Sequence, residues 1–199
     1  MALDERHRVH ANSFGVAADT YERGRPLYPP EAIDWLVPAH ATRVADVGAG
    51  TGKLTRQLRE RGLDVIAVEP SAGMREQLRR AVPGVPVLAG TGEQIPLADH
   101  SVDAVLVAQA WHWVDPERAV PEVARVLTPG GRLGLLWNRR VEDEDWVASR
   151  SYVITLPDAQ RHDVLGRVRD LLDTHPAVAG DDEIALRMVT RCSRADLPG

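Results

Sequence analysis

Cysteine is nearly absent from the chain: Cys192 is the only one in 199 residues. No intrachain disulfide can form, and a thiolate zinc site would lack its ligands. The seven histidines are scattered, only His7 and His10 lie close together, and no zincin-type His/Glu spacing occurs, so no metal site is expected. Long hydrophobic runs are missing too; none approaches the roughly 20 residues that span a bilayer. The opening Met1-Ala2-Leu3-Asp4-Glu5-Arg6 is too charged for a secretory signal. Nor is there a basic excess, since 24 Lys and Arg against 29 Asp and Glu give a net charge of −5 without a dense basic tract. Nucleic-acid binding rests on neutralising phosphates and is disfavoured as the main role. The expectation is a soluble, cytoplasmic, single-domain protein without a membrane partner, of open oligomeric state.

Glycine, by contrast, is concentrated where it carries information. Residues 42–47 read as a strand that runs into Gly48-Ala49-Gly50-Thr51-Gly52; an amphipathic segment follows, and a second strand over 64–68 closes on Glu69. This is a βαβ unit for a nucleoside-bearing ligand. Glycines let backbone N–H groups and a helix start approach the ligand, and the strand-end acid can grip a ribose diol. Spacing separates three versions. A P-loop needs Gly, four residues and Gly-Lys-Ser/Thr, yet Val47 stands at its first glycine and Leu54 at its hydroxyl, although Gly52-Lys53 is present. The dinucleotide fingerprint wants a small residue where Lys53 stands. An acid followed by Gly-x-Gly-x-Gly matches 46–52 without a gap.

With that match the chain resembles the class I S-adenosylmethionine (SAM)-dependent methyltransferases of the type 11 kind, over about 42–137. Val68-Glu69-Pro70-Ser71 with Met74 resembles the second motif of that family, and Gly90-Thr91-Gly92-Glu93-Gln94-Ile95-Pro96 its adenine-side loop. The apolar 102–107 followed by Ala108-Gln109-Ala110-Trp111-His112-Trp113 resembles the fourth strand and its active-site exit, and 126–133 the helix, turn and strand that end the core. The resemblance implies SAM as cofactor and S-adenosylhomocysteine as product. It implies cofactor contacts from Asp46, Gly48, Ala49, Gly50, Gly52, Glu69, Pro70, Met74, Thr91, Gly92, Glu93 and Gln109. Glu69 would accept the ribose hydroxyls. Asp46 either organises the glycine loop or reaches the methionine end through water. Thr91, Gly92 and Glu93 either contact the adenine edge or form an ordinary surface loop. Tyr21, Arg25, Pro26 and Tyr28 form a string that resembles the lead-in of relatives of trans-aconitate methyltransferase, where it covers the cofactor; the alternative is that Tyr28 and Pro29 merely begin the next helix.

Between the motifs the pattern alternates helices and strands. Pro30 starts a helix through Trp35, with Ile33, Leu36 and Val37 apolar. Leu54 with Leu58, and Met74 with Leu78, mark inner faces of the next two helices. Asp115-Pro116 caps and starts another, with Val120, Val123 and Leu127 as its expected buried stripe, ending before Pro129-Gly130-Gly131. Nearly continuous apolar strands over 102–108 and 133–137 indicate a parallel sheet covered on both faces. The fold class is therefore α/β, a doubly wound, Rossmann-like, mostly parallel sheet. Its expected organisation is a lead-in and cover over 1–40, a cofactor-binding core over 41–140, and a C-terminal region over 141–199 completing the same domain. That last region is shorter than the resemblance leads one to expect, by a segment on the order of tens of residues. It offers an amphipathic helix with Val164, Leu165, Val168 and Leu172, then an antiparallel strand with Ile184, Leu186 and Met188. One strand of the usual seven, and part of the acceptor wall, would be missing.

Methyl transfer from SAM is an in-line displacement at an activated carbon, so positioning does much of the work and no triad is required. His112 is the titratable group at the exit able to act as a base, or else a wall residue. Trp111 and Trp113 are placed to stack on adenine, enclose the acceptor or attract a sulfonium, with core packing as the alternative for at least one. Asn138 and Arg139 either orient an acidic acceptor or form a solvated loop. The exit lacks the Asn/Asp-Pro-Pro-aromatic run of DNA amino-methyltransferases, so a small-molecule acceptor is expected. A non-catalytic SAM-binding relative is the second reading, and a nicotinamide oxidoreductase a distant third.

Overall fold

The computed structural model describes residues 26–140 and 188–198, together with Ala159, Gln160, Gly166 and Asp170. Tyr21 and Arg25, the named apolar positions of the proposed helix (Val164, Leu165, Val168 and Leu172), and Ile184 and Leu186 lie outside the described residues. The chain divides into two compact units, Met1–Asn138 with Thr190–Gly199, and Arg139–Val189. The first carries the sheet. Of the second, the described residues are the end of β5, the start of β6 and the four isolated positions, which are helical.

The elements follow the alternation expected. They are α1 (Pro30–Leu36), β1 (Arg43–Val47), α2 (Lys53–Glu60), β2 (Asp64–Val68), α3 (Ala72–Ala81), β3 (Val87–Leu88), β4 (Val102–Ala108), a 3-10 turn (Trp111–Trp113), α4 (Pro116–Val126), β5 (Leu127–Arg140) and β6 (Met188–Asp196). The sheet order is β3-β2-β1-β4-β5-β6, parallel from β3 through β5. β6 runs antiparallel: Thr190 bonds to Asn138 at one end, and Leu197 N–H to the Gly131 carbonyl at the other. Among the described residues the sheet thus has six strands, one fewer than the resemblance implied. Strand order reverses between β1 and β4, and the crevice beyond their carboxyl ends is where doubly wound sheets bind ligands.

Side-chain alternation explains both coats. Val44, Val65, Ala104, Leu106 and Leu136 pack with Ile33, Leu36, Leu54 and Leu58 of α1 and α2, while α3 covers Ala67 and Val87 through Leu78 and Val82. Ala45, Val47, Val105 and Val107 point the other way, onto Val123 and Val126 of α4. The expected stripe on α4 needs correction. Val120 is 50% exposed, and the buried positions are Ala119, Val123 and Val126. The expected cap is present, with Asp115 accepting from the Glu117 N–H at 3.1 Å.

Two elements differ in extent from the expectation. β5 begins at Leu127, and the Pro129-Gly130-Gly131 turn is an irregularity inside it, where the pairing jumps from Val102↔Leu127 to Ala104↔Arg132. β6 starts at Met188, where the expected strand ends, and continues through polar residues to Asp196. At the amino edge of the sheet, the Asp103 carboxylate accepts from the N–H groups of Thr42 at 2.8 Å and Arg43 at 3.0 Å. It fixes the start of β1, and these bonds hold its carboxyl below the ordinary range despite partial burial. Among the described residues, no helix is long and apolar enough to cross a membrane.

Candidate active site

The glycine loop leaves β1 with three residues in the left-handed region, Gly48 at φ +73°, Gly50 at +57° and Gly52 at +92°. Each is glycine for its own reason. A Cβ at Gly48 would lie 2.6 Å from the Ala110 Cβ, so this residue lets the ends of β1 and β4 approach. One at Gly52 would press on Leu78 at 2.9 Å, so this residue seats α2 against α3. One at Gly50 would meet nothing within 4 Å among the described residues. Gly50 is the loop position that opens onto space, where a ligand can approach bare backbone. The N–H groups of Gly48 and Ala49 are held by the Val68 carbonyl at 2.8 and 3.2 Å, which ties the loop to β2.

Glu69 follows β2 and is only 7% exposed. Its Oε2 accepts from the Gly50 N–H at 2.9 Å and its Oε1 from the Ser71 N–H at 2.8 Å. The carboxylate is thus locked against the glycine loop, with each oxygen keeping lone-pair capacity for a hydroxyl. Burial pushes its pKa up, against the two N–H bonds and the Arg75 charge. Arg75, which the sequence reading did not place in the site, donates to the main-chain carbonyls of Glu69 and Pro70 at 2.9 and 2.7 Å. Pro70 itself is exposed, and Met74 is buried with its N–H on the capping Ser71 hydroxyl.

Beneath the loop, Asp46 is fully buried. Its Oδ2 accepts from the Thr55 hydroxyl at 2.6 Å, while Oδ1 has no partner among the described residues. Burial raises its pKa to about 7; the Thr55 bond opposes this, and the neighbouring Glu69 charge adds to it. An orphaned buried oxygen next to an open glycine cradle is what a polar or cationic ligand would complete.

The 90–96 loop is held from outside. Thr91 and Gln94 form a small bridge, and Gly92 is pressed against Val114, where a Cβ would lie 2.7 Å from that side chain. Glu93 accepts from the Asp115 N–H at 2.8 Å, which joins the loop to the start of α4. Burial pushes Glu93 up, but that N–H, the Thr91 hydroxyl and the Arg118 charge outweigh it, and its carboxyl lies below the ordinary range. Further along, Glu122 accepts from Ile95 N–H, and Arg125 donates to the carbonyls of Ile95 and Leu97 and to Asp99. Glu93 is therefore spent on loop architecture, and Thr91 is exposed.

At the exit of β4, Gln109 has φ +57° and donates its side-chain amide to the Asn138 carbonyl at 3.1 Å. Trp111 packs partly into the core beside Ala110, whereas Trp113 is 41% exposed, so one of the two tryptophans is a packing residue. His112 is exposed, with its ring 4.8 Å from that of Trp113. Tyr28 is buried in the core, and its backbone N–H and carbonyl are both bonded to the Gln57 amide at 3.1 and 2.7 Å. Thr55, Gln57 and Arg75 went unnoticed in the sequence because each looks like an ordinary polar residue on a helix. Only their distances in the fold reveal them.

A doubly wound sheet with a glycine loop after β1 and a buried acid after β2 defines a nucleoside-cofactor enzyme of the α/β class. A family model described as a methyltransferase domain matches residues 45–135. An uncharacterized methyltransferase of Mycobacterium bovis is 53% identical over 232 residues, covering 93% of this chain and 96% of that one. A malonyl-[acyl-carrier protein] O-methyltransferase of Pectobacterium atrosepticum is 38% identical over 61% of this chain and 49% of its own length. The solved structure of a Thermotoga maritima SAM-dependent methyltransferase, a possible histamine N-methyltransferase by its description, is 25% identical, covers 92% of this chain and 98% of that one, and has a TM-score of 0.58. The chain belongs to the class I SAM-dependent methyltransferases, and it is a SAM-dependent methyltransferase enzyme. The match to the mycobacterial relative spans 232 residues against 199 in this chain, so the relative holds a segment that this chain lacks.

Proposed function

We propose that the protein transfers a methyl group from SAM to a small-molecule acceptor by in-line displacement. The observation that carries this reading is the Glu69 carboxylate, buried at the end of β2 and fixed by the Gly50 and Ser71 N–H groups beside an open glycine position. In this reading Glu69 accepts the ribose hydroxyls, the Gly48–Gly52 loop passes beneath the methionine portion, and Thr91 and Gly92 border the adenine. Asp46 ties the end of β1 to α2 through Thr55, and its buried Oδ1, without a partner among the described residues, reaches the methionine end through water in this reading. When bound, SAM supplies a methyl group on a sulfonium, so the protein has to align and desolvate a nucleophile rather than generate an electrophile. Gln109, His112 and Trp113 form the acceptor side in this reading, and His112 is its base if the acceptor must lose a proton.

One similar protein is named a possible histamine N-methyltransferase and another a malonyl-[acyl-carrier protein] O-methyltransferase, so the names of similar proteins point to more than one acceptor atom. The acceptor is therefore assigned by experiment. With methyl-labelled SAM and a cell extract split by ultrafiltration, label is expected in a filtrate compound that chromatography separates from SAM and that is absent without the enzyme. Label confined to protein or nucleic acid would contradict the assignment. A second reading, a cofactor-binding relative with an impaired acceptor site, is favoured by the segment present in the mycobacterial relative and lacking here. It predicts cofactor binding without label transfer.

A further inference from the structure

Asn138, near the carboxyl end of β5, has both side-chain polar atoms and its main-chain carbonyl engaged. Its Oδ1 accepts from the Thr190 hydroxyl at 2.6 Å, and its Nδ2 donates to the carbonyls of Pro26 and Leu27, each at 3.4 Å. Its main-chain carbonyl accepts the Gln109 side-chain amide at 3.1 Å. Three stretches remote in sequence, the one before α1, the exit of β4 and the start of β6, are tied to one residue. Only an amide suits the place: an aspartate would accept from Thr190 yet offer Pro26 and Leu27 no donor, and an apolar side chain would do neither. Asn138 is also the last residue of the sheet-bearing unit before the chain leaves it, and Thr190 the first on its return.

Gln109 points the same way. A φ of +57° is uncommon for a residue with a side chain. It is held by its N–H on the Leu136 carbonyl at 2.9 Å and by its side chain on Asn138. Strain of this kind persists where the surroundings over-determine it, and it clusters at functional sites. The Gln109 Oε1 has no hydrogen-bond partner among the described residues, at the carboxyl end of β4. On the opposite side, Tyr28 is clamped by Gln57 of α2, the helix that follows the glycine loop. The 26–28 stretch thus bridges that helix and the Asn138 joint.

We infer that Asn138 is a positioning residue for methyl transfer, locking the 26–28 stretch and the Gln109 turn into one frame around the mouth of the cofactor site. This rests on the methyltransferase reading above and assigns a role to a residue that touches neither ligand. Asn138 has no polar atom left over to orient an acidic acceptor; it is Gln109 that it presents.

The test uses S-adenosylhomocysteine as probe, titrated calorimetrically into the wild type, Asn138→Asp, Thr190→Val and Thr190→Ser, with hydrogen exchange followed at the Leu27 and Tyr28 amides. Asn138→Asp and Thr190→Val each lose a hydrogen-bond donor from the joint and are expected to weaken binding by about fivefold. Both should also lose the protection that the ligand confers at residues 27 and 28. Thr190→Ser keeps the hydroxyl and should behave as wild type. Variants with a lowered thermal midpoint but unchanged affinity and protection would reduce Asn138 to a structural residue and overturn the inference. A folded wild type that fails to bind the probe would instead overturn the methyltransferase reading, and this inference with it. Should Asn138→Asp fail to fold, the Thr190 pair decides.

Discussion

Gly48, Gly50 and Gly52 share a positive φ but not a function, and their substitutions should separate accordingly. Alanine at Gly50 meets no neighbour among the described residues, so Gly50→Ala should fold with a loss of about 1–2 kcal/mol from the left-handed backbone alone. It should nevertheless bind S-adenosylhomocysteine poorly, since its Cβ enters the space a ligand would use. Gly48→Ala adds a clash with Ala110 on the neighbouring strand to the same backbone cost, and should be clearly less stable. Urea unfolding and calorimetry of the two variants check both statements; equal stability with unimpaired binding in Gly50→Ala would contradict them. The sequence shows three alternating glycines before a helix, but it cannot show that only one of them opens onto space.

At the level of elements, α4 gives a direct test of which face is buried. Val120→Lys places a charge on an exposed position and should change stability by no more than about 0.5 kcal/mol. Val123→Ala removes a buried side chain and should cost about 1–3 kcal/mol. Thermal unfolding distinguishes this from a helix buried along Val120. The stripe was misread because alanine is a weak hydrophobic signal, so Ala119 passed as neutral while the adjacent Val120 drew the pattern onto itself. By contrast, β2 and β4 were legible to the residue, because strands buried on both faces are almost continuously apolar and end at a polar residue, Glu69 and Gln109. β6 was not. Its polar run from Met188 to Asp196 has no alternation to read and is placed by partners on β5, Thr190 on Asn138 and Asp196 on Arg132. The Asp103 clamp on Thr42 and the Asn138 joint are hidden for the same reason: their partners lie far away along the chain.

For the molecule as a whole, ionisation pulls stability in two directions. Glu93, Asp103, Glu122 and Asp196 have carboxyls held below their ordinary range by hydrogen bonds and charges. The stability they bring is present above their unfolded pKa and lost as pH falls below about 4. Asp46 acts oppositely. Its folded pKa of about 7 lies above the ordinary 3.8, so its favourable contribution is full below pH 3.8 and lost as pH rises through about 7. Asp46→Asn should therefore be more stable than the wild type at pH 8, by on the order of 1–3 kcal/mol, with the difference shrinking toward pH 4. Urea unfolding across this range reads it directly; a pH-independent difference would show that Asp46 does not titrate as the burial implies.

The residues on which the proposed cofactor site rests, Asp46, the glycines and Glu69, stand out in the sequence because they form local motifs. The joint of Gln109, Asn138 and the 26–28 stretch does not, since those residues meet only in the fold. The decisive measurement is therefore at Glu69. S-adenosylhomocysteine titrated calorimetrically into the wild type should bind with one site per chain, and Glu69→Ala should weaken it by at least about tenfold through the lost charged acceptor. A folded wild type that does not bind, or a Glu69→Ala variant that binds equally well, would contradict the assignment of this crevice as the SAM site.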